Sequence, residues 1–266
     1  FIITCFLLLI SSCETTNKLV SELTIISVND FHGALDESDG KYGVARLANS
    51  ISAETKNSEA SILVSAGDMF QGTALSNYDH GKTVIDIMNK MKFDAMVIGN
   101  HEFDWGYEEI YKYVDGNDDN GEATFPFLGC NIIEKSTGQR PVGIDAYQII
   151  KRGGLKIAIV GYMGEGNESD IAEAMIKDYE FANPISYIKS TISDLRINQG
   201  VDVVIVSGHE GNGSNQMLAS LAGDERVDAI INAHTHSTYS GTITRSDGVK
   251  TVSYTHLRAH ETELHL

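Results

Sequence analysis

Ile98-Gly99-Asn100-His101-Glu102-Phe103-Asp104-Trp105-Gly106 is the stretch on which the fold of this chain turns. It grows out of the apolar run Ala95-Met96-Val97-Ile98, which reads as a buried strand, so its polar residues are expected where that strand ends. In open α/β sheets that edge is where ligands bind. Asn100 offers a neutral carbonyl oxygen, His101 an imidazole, and Asp104 a carboxylate able to orient that imidazole. Taken alone, the segment fits a polar loop after a strand about as well as a catalytic one, and the rest of the chain decides between them.

The pattern recurs on both sides. Leu23 to Val28 is a strand-like run ending in Asn29-Asp30-Phe31-His32-Gly33, and Asp30 and His32, two apart, share one side of an extended chain. Val44, Leu47 and Ile51 recur at helical spacing before a second strand, Ser61-Ile62-Leu63-Val64-Ser65, which ends in Ala66-Gly67-Asp68. Val84, Ile87, Met88 and Met91 predict a helix ahead of the strand into Asn100, and Glu108 to Val114 another, stopped near Gly116. Phe125 to Ile133 and Lys156 to Tyr162 read as strands that carry no ligand cluster, hence scaffold. Asn183-Pro184 starts a helix with Ile185, Ile188, Ile192 and Leu195 on one face, released at Gly200. Val201 to Val206 then leads into Ser207-Gly208-His209-Glu210. After a short helix around Met217, Leu218 and Leu221, Val227-Asp228-Ala229-Ile230-Ile231 leads into Asn232-Ala233-His234-Thr235-His236. Thr242 to Thr251 reads as a hairpin turning at Ser246-Asp247-Gly248. Alternation of strand and helix implies parallel pairing.

The 266 residues, 42% of them hydrophobic, suffice for one large α/β domain, and no Pro/Ser-rich linker divides them. Twenty Lys and Arg against 37 Asp and Glu leave a net charge of −17, which speaks against a nucleic-acid polymer or an anionic membrane surface as partner and suits a metal-dependent enzyme. Three cysteines are too few for a disulfide framework, and Cys130 is expected to be a buried free thiol. Asp115 to Glu122 has alternating oxygen donors but fails the calcium-loop pattern: the glycine falls one place late and Pro126 takes the position of the closing glutamate. A solvated acidic turn is expected there.

Both ends read as lying outside the domain. Residues 1–10 are apolar, too short for a membrane span but of signal-peptide length, and Ile10-Ser11-Ser12-Cys13 resembles a bacterial lipobox. A signal peptide over 1–12, incomplete at its start, lipidation at Cys13 and a tether over 13–22 are expected, in preference to a plain signal peptide or a mitochondrial-type leader. Such a chain is exported and lipid-anchored at a bacterial surface or periplasm. Val252-Ser253-Tyr254-Thr255-His256-Leu257-Arg258-Ala259-His260-Glu261-Thr262 looks like the translation of a transposase sequencing-adapter end, so 252–266 are expected to be non-native and 23–251 to be the catalytic domain.

Five apolar runs thus end in Asp30 and His32, Asp68, Asn100 with His101, His209, and His234 with His236. Outside the adapter-like tail, only His80 among the histidines falls elsewhere. One histidine after a strand is usually a satisfied loop residue; this many sharing the placement point to a site. Mixed Asp, Asn and His donors without cysteine suit a binuclear centre of Zn²⁺, Mn²⁺ or Fe, with Asp68 as the candidate bridge. Two ions roughly 3.5 to 4 Å apart bind both the attacking and departing oxygens of phosphoryl transfer and lower the pKa of bound water toward about 7.

Together, the Asp30/His32, Gly67-Asp68, Gly99-Asn100-His101-Glu102, Gly208-His209 and His234-Thr235-His236 blocks resemble the calcineurin-like metallophosphoesterases over residues 23–245. Asn29-Asp30-Phe31-His32-Gly33 and Gly99-Asn100-His101-Glu102-Phe103-Asp104 resemble the 5′-nucleotidase and 2′,3′-cyclic-nucleotide phosphodiesterase branch of that family. The resemblance implies an α/β fold, a four-layer α/β/β/α sandwich with two mixed sheets. It implies two divalent cations, one held by Asp30, His32, Asp68 and His236, the other by Asp68, Asn100, His209 and His234. His101, paired with Asp104, then stabilises the transition state or protonates the leaving oxygen. Glu210, where relatives often carry leucine, adds negative charge beside the site. The family's C-terminal domain, which holds the nucleoside, is missing from residues 1–266.

The expected function is hydrolysis of a small phosphate ester, a nucleotide foremost, by a metal-bound hydroxide. Within the family the alternatives are a UDP-sugar hydrolase or a cyclic-nucleotide phosphodiesterase. From another class, a lipid-anchored metal-binding or adhesion module on this scaffold is the alternative, which would have no need of His101 and Asp104.

Overall fold

The computed structural model describes residue 20 and residues 22–38, 41–255 and 262–265. The signal segment and Cys13 lie outside them. Twelve strands build the two main sheets: β1 Glu22–Ser27, β2 Ser61–Ser65, β3 Ala95–Val97, β4 Phe127–Leu128, β5 Ile144–Asp145, β6 Tyr147–Arg152, β7 Leu155–Met163, β8 Val203–His209, β9 Ala229–Asn232, β10 Tyr239–Thr244, β11 Lys250–Thr255 and β12 Thr262–His265. The main helices are α1 Gly43–Asn57, α2 Lys82–Met91, α3 Pro184–Ile197 and α4 Asn215–Ser220.

The first sheet has the order β12-β1-β2-β3-β4-β5, parallel throughout except for β12 against β1. The second, β10-β11-β9-β8-β7-β6, is parallel across its middle with antiparallel strands at both edges. Both sheets are therefore mixed. Part of the segment expected to be non-native stands in β11 and β12.

Alternation of side chains sorts the core into layers. Leu23 and Ile25 of β1, Ile62 and Val64 of β2, and Ala95 and Val97 of β3 face Ile157 and Ile159 of β7, Ile205 of β8 and Ile231 of β9, which closes the sheets on each other. The intervening Ile26, Leu63 and Met96 turn outward onto Ile51 of α1 and Val84, Ile85 and Met88 of α2. Ala158, Val160, Val204 and Ile230 meet Ile188, Ile192 and Leu195 of α3 and Leu218 of α4 on the far side. Four layers result, α/β/β/α, and strands covered on both faces must be continuously apolar. Each such side chain contributes roughly 1.5–3 kcal/mol on burial.

Local signals act as their chemistry predicts. The Asn183 side chain accepts the Ile185 N–H at 3.2 Å with Pro184 in the first turn, so α3 begins where expected. Asp115 to Asp119 are exposed, as expected of an acidic turn. Cys130 is a buried free thiol, pushed up to about 12 by desolvation.

Two expectations are corrected. Phe125 to Ile133 is not one strand: after β4 the chain crosses between the sheets, Gly129 N–H bonding Asp145 and Cys130 N–H bonding Gly161. Buried Asn131 holds the crossing by bonding Met163 and Ala182, and Ile132–Glu134 then pairs with Tyr179–Phe181. Val201 to Val206 is displaced along the chain, because β8 extends through His209, paired opposite Met163. His209 is consequently inside the strand and without solvent exposure.

Candidate functional site

The carboxyl ends of strands from both sheets meet at one edge. β1 delivers Asp30 and His32, β2 Asp68 and β3 Asn100 from one sheet; β8 delivers His209 and β9 His234 and His236 from the other. The structure brings all seven together. Asp30, His32 and His236 form one group of converging donor atoms, and Asp68, His209 and His234 a second. Asp68 reaches both, with Oδ2 at 3.1 Å from His209 Nε2 and 3.9 Å from His32 Nε2. Asn100 Oδ1 lies 2.9 Å from His209 Nε2 and 3.1 Å from His234 Nδ1.

The donor set fits divalent cations. His209 Nδ1 donates to the Ala66 carbonyl at 2.8 Å, so in the neutral ring Nε2 presents a lone pair to Asp68 and Asn100, which are acceptors themselves. His32 likewise donates from Nδ1 to the Gln71 carbonyl at 2.9 Å, leaving Nε2 facing His236 Nε2 at 3.2 Å. Converging lone pairs of this kind need a proton or a cation between them, and backbone carbonyls orienting the far nitrogens are typical of metal-binding histidines.

Electrostatics tells the same story. Burial would raise the Asp68 carboxyl, but the charge and hydrogen bond of His209, with His101 beyond, outweigh it and hold Asp68 at about 2. Burial opposes charge on His209, yet Asp68 raises it. Burial lowers His32 and His234 and raises Asp30.

Backbone strain marks the same residues. Asp30, His32, Asp68, His234 and His236 lie at φ between 48° and 69°, and the remaining non-glycine residues in that region, among the described residues, are His80 and Lys92. Such conformations cost about 1–3 kcal/mol each and persist where surrounding contacts impose them. Here those contacts are Asp30 N–H to Gly67 O, His32 N–H to Asp68 O, and His234 N–H to Asp30 Oδ1.

His101 stands beside the groups, its ring 5.3 Å from that of His32. Nδ1 donates to Asp104 at 2.7 Å, and this bond raises the imidazole to about 9 despite partial burial, so that Nε2 also carries a proton near neutral pH. Glu210, next to His209, accepts from Tyr162 OH at 2.9 Å and Ser214 Oγ at 3.0 Å.

Sequence reasoning missed three supporting residues. Asn29 joins the sheets, accepting the Ala66 N–H at 2.8 Å and donating to the Asn232 carbonyl at 3.2 Å. Asp170 approaches His234 Nε2 at 3.7 Å from a separate loop. Glu102 is fully buried between the Asp68 and Asn100 loops, where burial and the Asp68 charge push it up to about 7. Asn29 and Glu102 sit inside the motif blocks, a signal of position only; nothing in the sequence pointed to Asp170.

The calcineurin-like phosphoesterase family model matches residues 23–238. Snake venom 5′-nucleotidase of Crotalus adamanteus is 30% identical over 228 residues, which are 81% of this chain and 37% of that protein. Endonuclease YhcR of Bacillus subtilis is 29% identical over 250 residues, 83% of this chain and 20% of that protein. The chain therefore spans well under half the length of these relatives. Among solved structures, the NAD nucleotidase of Haemophilus influenzae shares the fold, with a TM-score of 0.77 and 22% identity over 92% of this chain and 47% of the other.

Proposed function

Because the chain belongs to the calcineurin-like phosphoesterase family, we propose that it hydrolyses small phosphate esters, nucleotides of the 5′-nucleotidase type foremost, at a site for two divalent cations of Zn, Mn or Fe. Asp30, His32, Asp68 and His236 would hold one ion, and Asp68, Asn100, His209 and His234 the other. The observation that carries this reading is the placing of Asp68 Oδ2 within 3.1 Å of His209 and 3.9 Å of His32, one carboxylate between two donor groups. When bound, the ions supply positive charge against the ester's phosphate and acidify water, so no side-chain nucleophile is required.

The chain's own residues do the remaining work. His101, its Nδ1 held by Asp104, presents an Nε2 proton to the departing oxygen. Ala66 and Gln71 carbonyls keep the His209 and His32 rings turned with Nε2 inward. A non-catalytic binding module would make no use of the His101–Asp104 pair, which favours the enzyme.

The test is hydrolysis by the chain loaded with each metal in turn, offered p-nitrophenyl phosphate, AMP, UDP-glucose, 2′,3′-cyclic AMP and single-stranded DNA. Cleavage of the aryl ester and of AMP supports the reading. Cleavage of DNA alone would overturn the substrate class, and metal uptake without hydrolysis of any ester would favour the binding module. We also propose export and lipid anchoring through Cys13, on the strength of the apolar 1–10 run and Ile10-Ser11-Ser12-Cys13. Mass spectrometry of the mature amino terminus checks it, an unmodified Cys13 being the contrary result.

A further inference from the structure

The loops carrying Asp68 and Asn100 hold each other through two carboxylates, each bonded to amides of the other loop. Glu102 accepts four backbone N–H groups: Asp68 and Gly99 on Oε2 at 2.9 and 2.7 Å, Met69 and Phe70 on Oε1 at 2.8 and 3.2 Å. In return, Asp68 Oδ1 accepts the His101 N–H at 3.0 Å. Two glycines allow the approach: a Cβ on Gly67 would lie 2.7 Å from Gly99 N, and one on Gly99 2.7 Å from Asp68 N. Three successive N–H groups turned toward one anion form a concavity of the sort that elsewhere binds phosphate. Here a side chain of the protein fills it.

We infer that Glu102 is a positioning residue, and that this reciprocal clasp sets Asp68 and Asn100 in the arrangement two cations require before any cation arrives. The inference rests on the two-ion reading above. Asp68 Oδ2 and Asn100 Oδ1 both converge on His209 Nε2, at 3.1 and 2.9 Å, so sliding one loop against the other alters both donor groups at once. Four N–H donors on its two oxygens make both oxygens acceptors, and bonds of this number and reach suit the task. Glutamine has the same shape, but its NH₂ group meets N–H donors where an acceptor is needed, leaving buried donors unpaired. Aspartate, one methylene shorter, cannot span both loops.

Wild type, Glu102→Gln and Glu102→Asp are compared with Ile192→Val, which removes a buried methyl from α3 on the far side of the second sheet. Mn²⁺ binding is followed by calorimetry well below each unfolding midpoint, and amide hydrogen exchange is measured on metal-free protein. Both Glu102 variants are expected to lose about 10–100-fold in Mn²⁺ affinity, the usual effect of disturbing groups that support metal ligands, and to exchange faster at Met69 and Phe70. Ile192→Val should lower the midpoint with wild-type affinity, which separates positioning from general destabilisation. If Glu102→Gln does not fold, Glu102→Asp decides. Unchanged affinity or unchanged exchange in a folded variant overturns the inference. Wild-type protein that takes up no Mn²⁺, Zn²⁺ or Fe²⁺ overturns the two-ion reading instead, and the exchange data still decide whether Glu102 holds the loops.

Discussion

The two donor groups of the site differ in how far water reaches them. Asp68, His209 and His234 have side chains 2%, 0% and 25% exposed, against 3%, 17% and 49% for Asp30, His32 and His236, so the extremes are His209 on one side and His236 on the other. The reason is topological: His209 is the last residue of a central strand, while His236 lies beyond its strand in a loop at the rim. A ligand inside a strand inherits the strand's rigidity and dryness, and electrostatic interactions there are stronger. Each group thus pairs dry members with a wetter one, and the sharpest contrast is between His209 in its strand and His236 at the rim.

Asp68→Asn probes the point the halves share. Removing one member of a buried charged set costs about 3–5 kcal/mol, and because Asp68 serves both groups the variant should retain neither ion. Metal analysis finding two ions per chain would break the idea of a common carboxylate. Next in size, His101→Ala should lower turnover about 10²–10⁴-fold, the range for a proton donor, with metal content unchanged; loss of metal would place His101 among the ligands of the open half.

The halves can also be weighed against each other in stability. In metal-free protein, His209→Ala leaves a cavity and takes from Asp68 Oδ2 its His209 partner, and should cost about 2–5 kcal/mol. His236→Ala, at the exposed rim, should stay within about 0.5 kcal/mol of wild type. Equal losses in urea melts would erase the contrast. The smallest effect is kinetic: a colorimetric chelator should withdraw the ions in two phases of one ion each, the faster from the His32/His236 side. A single phase carrying both would mean that the halves exchange as a unit.

Much of this site was legible before folding. Asp30, His32, Asp68, Asn100, His209, His234 and His236 each follow an apolar run, and residues that follow parallel strands gather at one sheet edge whatever the helices between them do. His101 and Asp104 were legible for another reason, since three residues apart in one turn they can meet directly, and they do at 2.7 Å. Glu102 was hidden because a buried carboxylate satisfied by backbone amides leaves no periodicity and no partner side chain in the sequence. The break after Leu128 was hidden as well, because an apolar run is equally suited to one strand or to a strand that crosses from sheet to sheet.

The sequence by itself determined the alternation of strands and helices and the donor residues at the strand ends, since hydrophobic period and strand-end placement are local properties of the chain. The four layers came from the resemblance of its motif blocks to a known family. Only the tertiary structure decided which donor atoms converge, that Asp68 stands between the two groups, that His209 is dry and His236 wet, and that Glu102 clasps the loops of Asp68 and Asn100. Those facts depend on distances between residues far apart in the chain, 204 positions in the case of Asp30 and His234. No local pattern encodes such distances, because they arise from the packing of one sheet on the other.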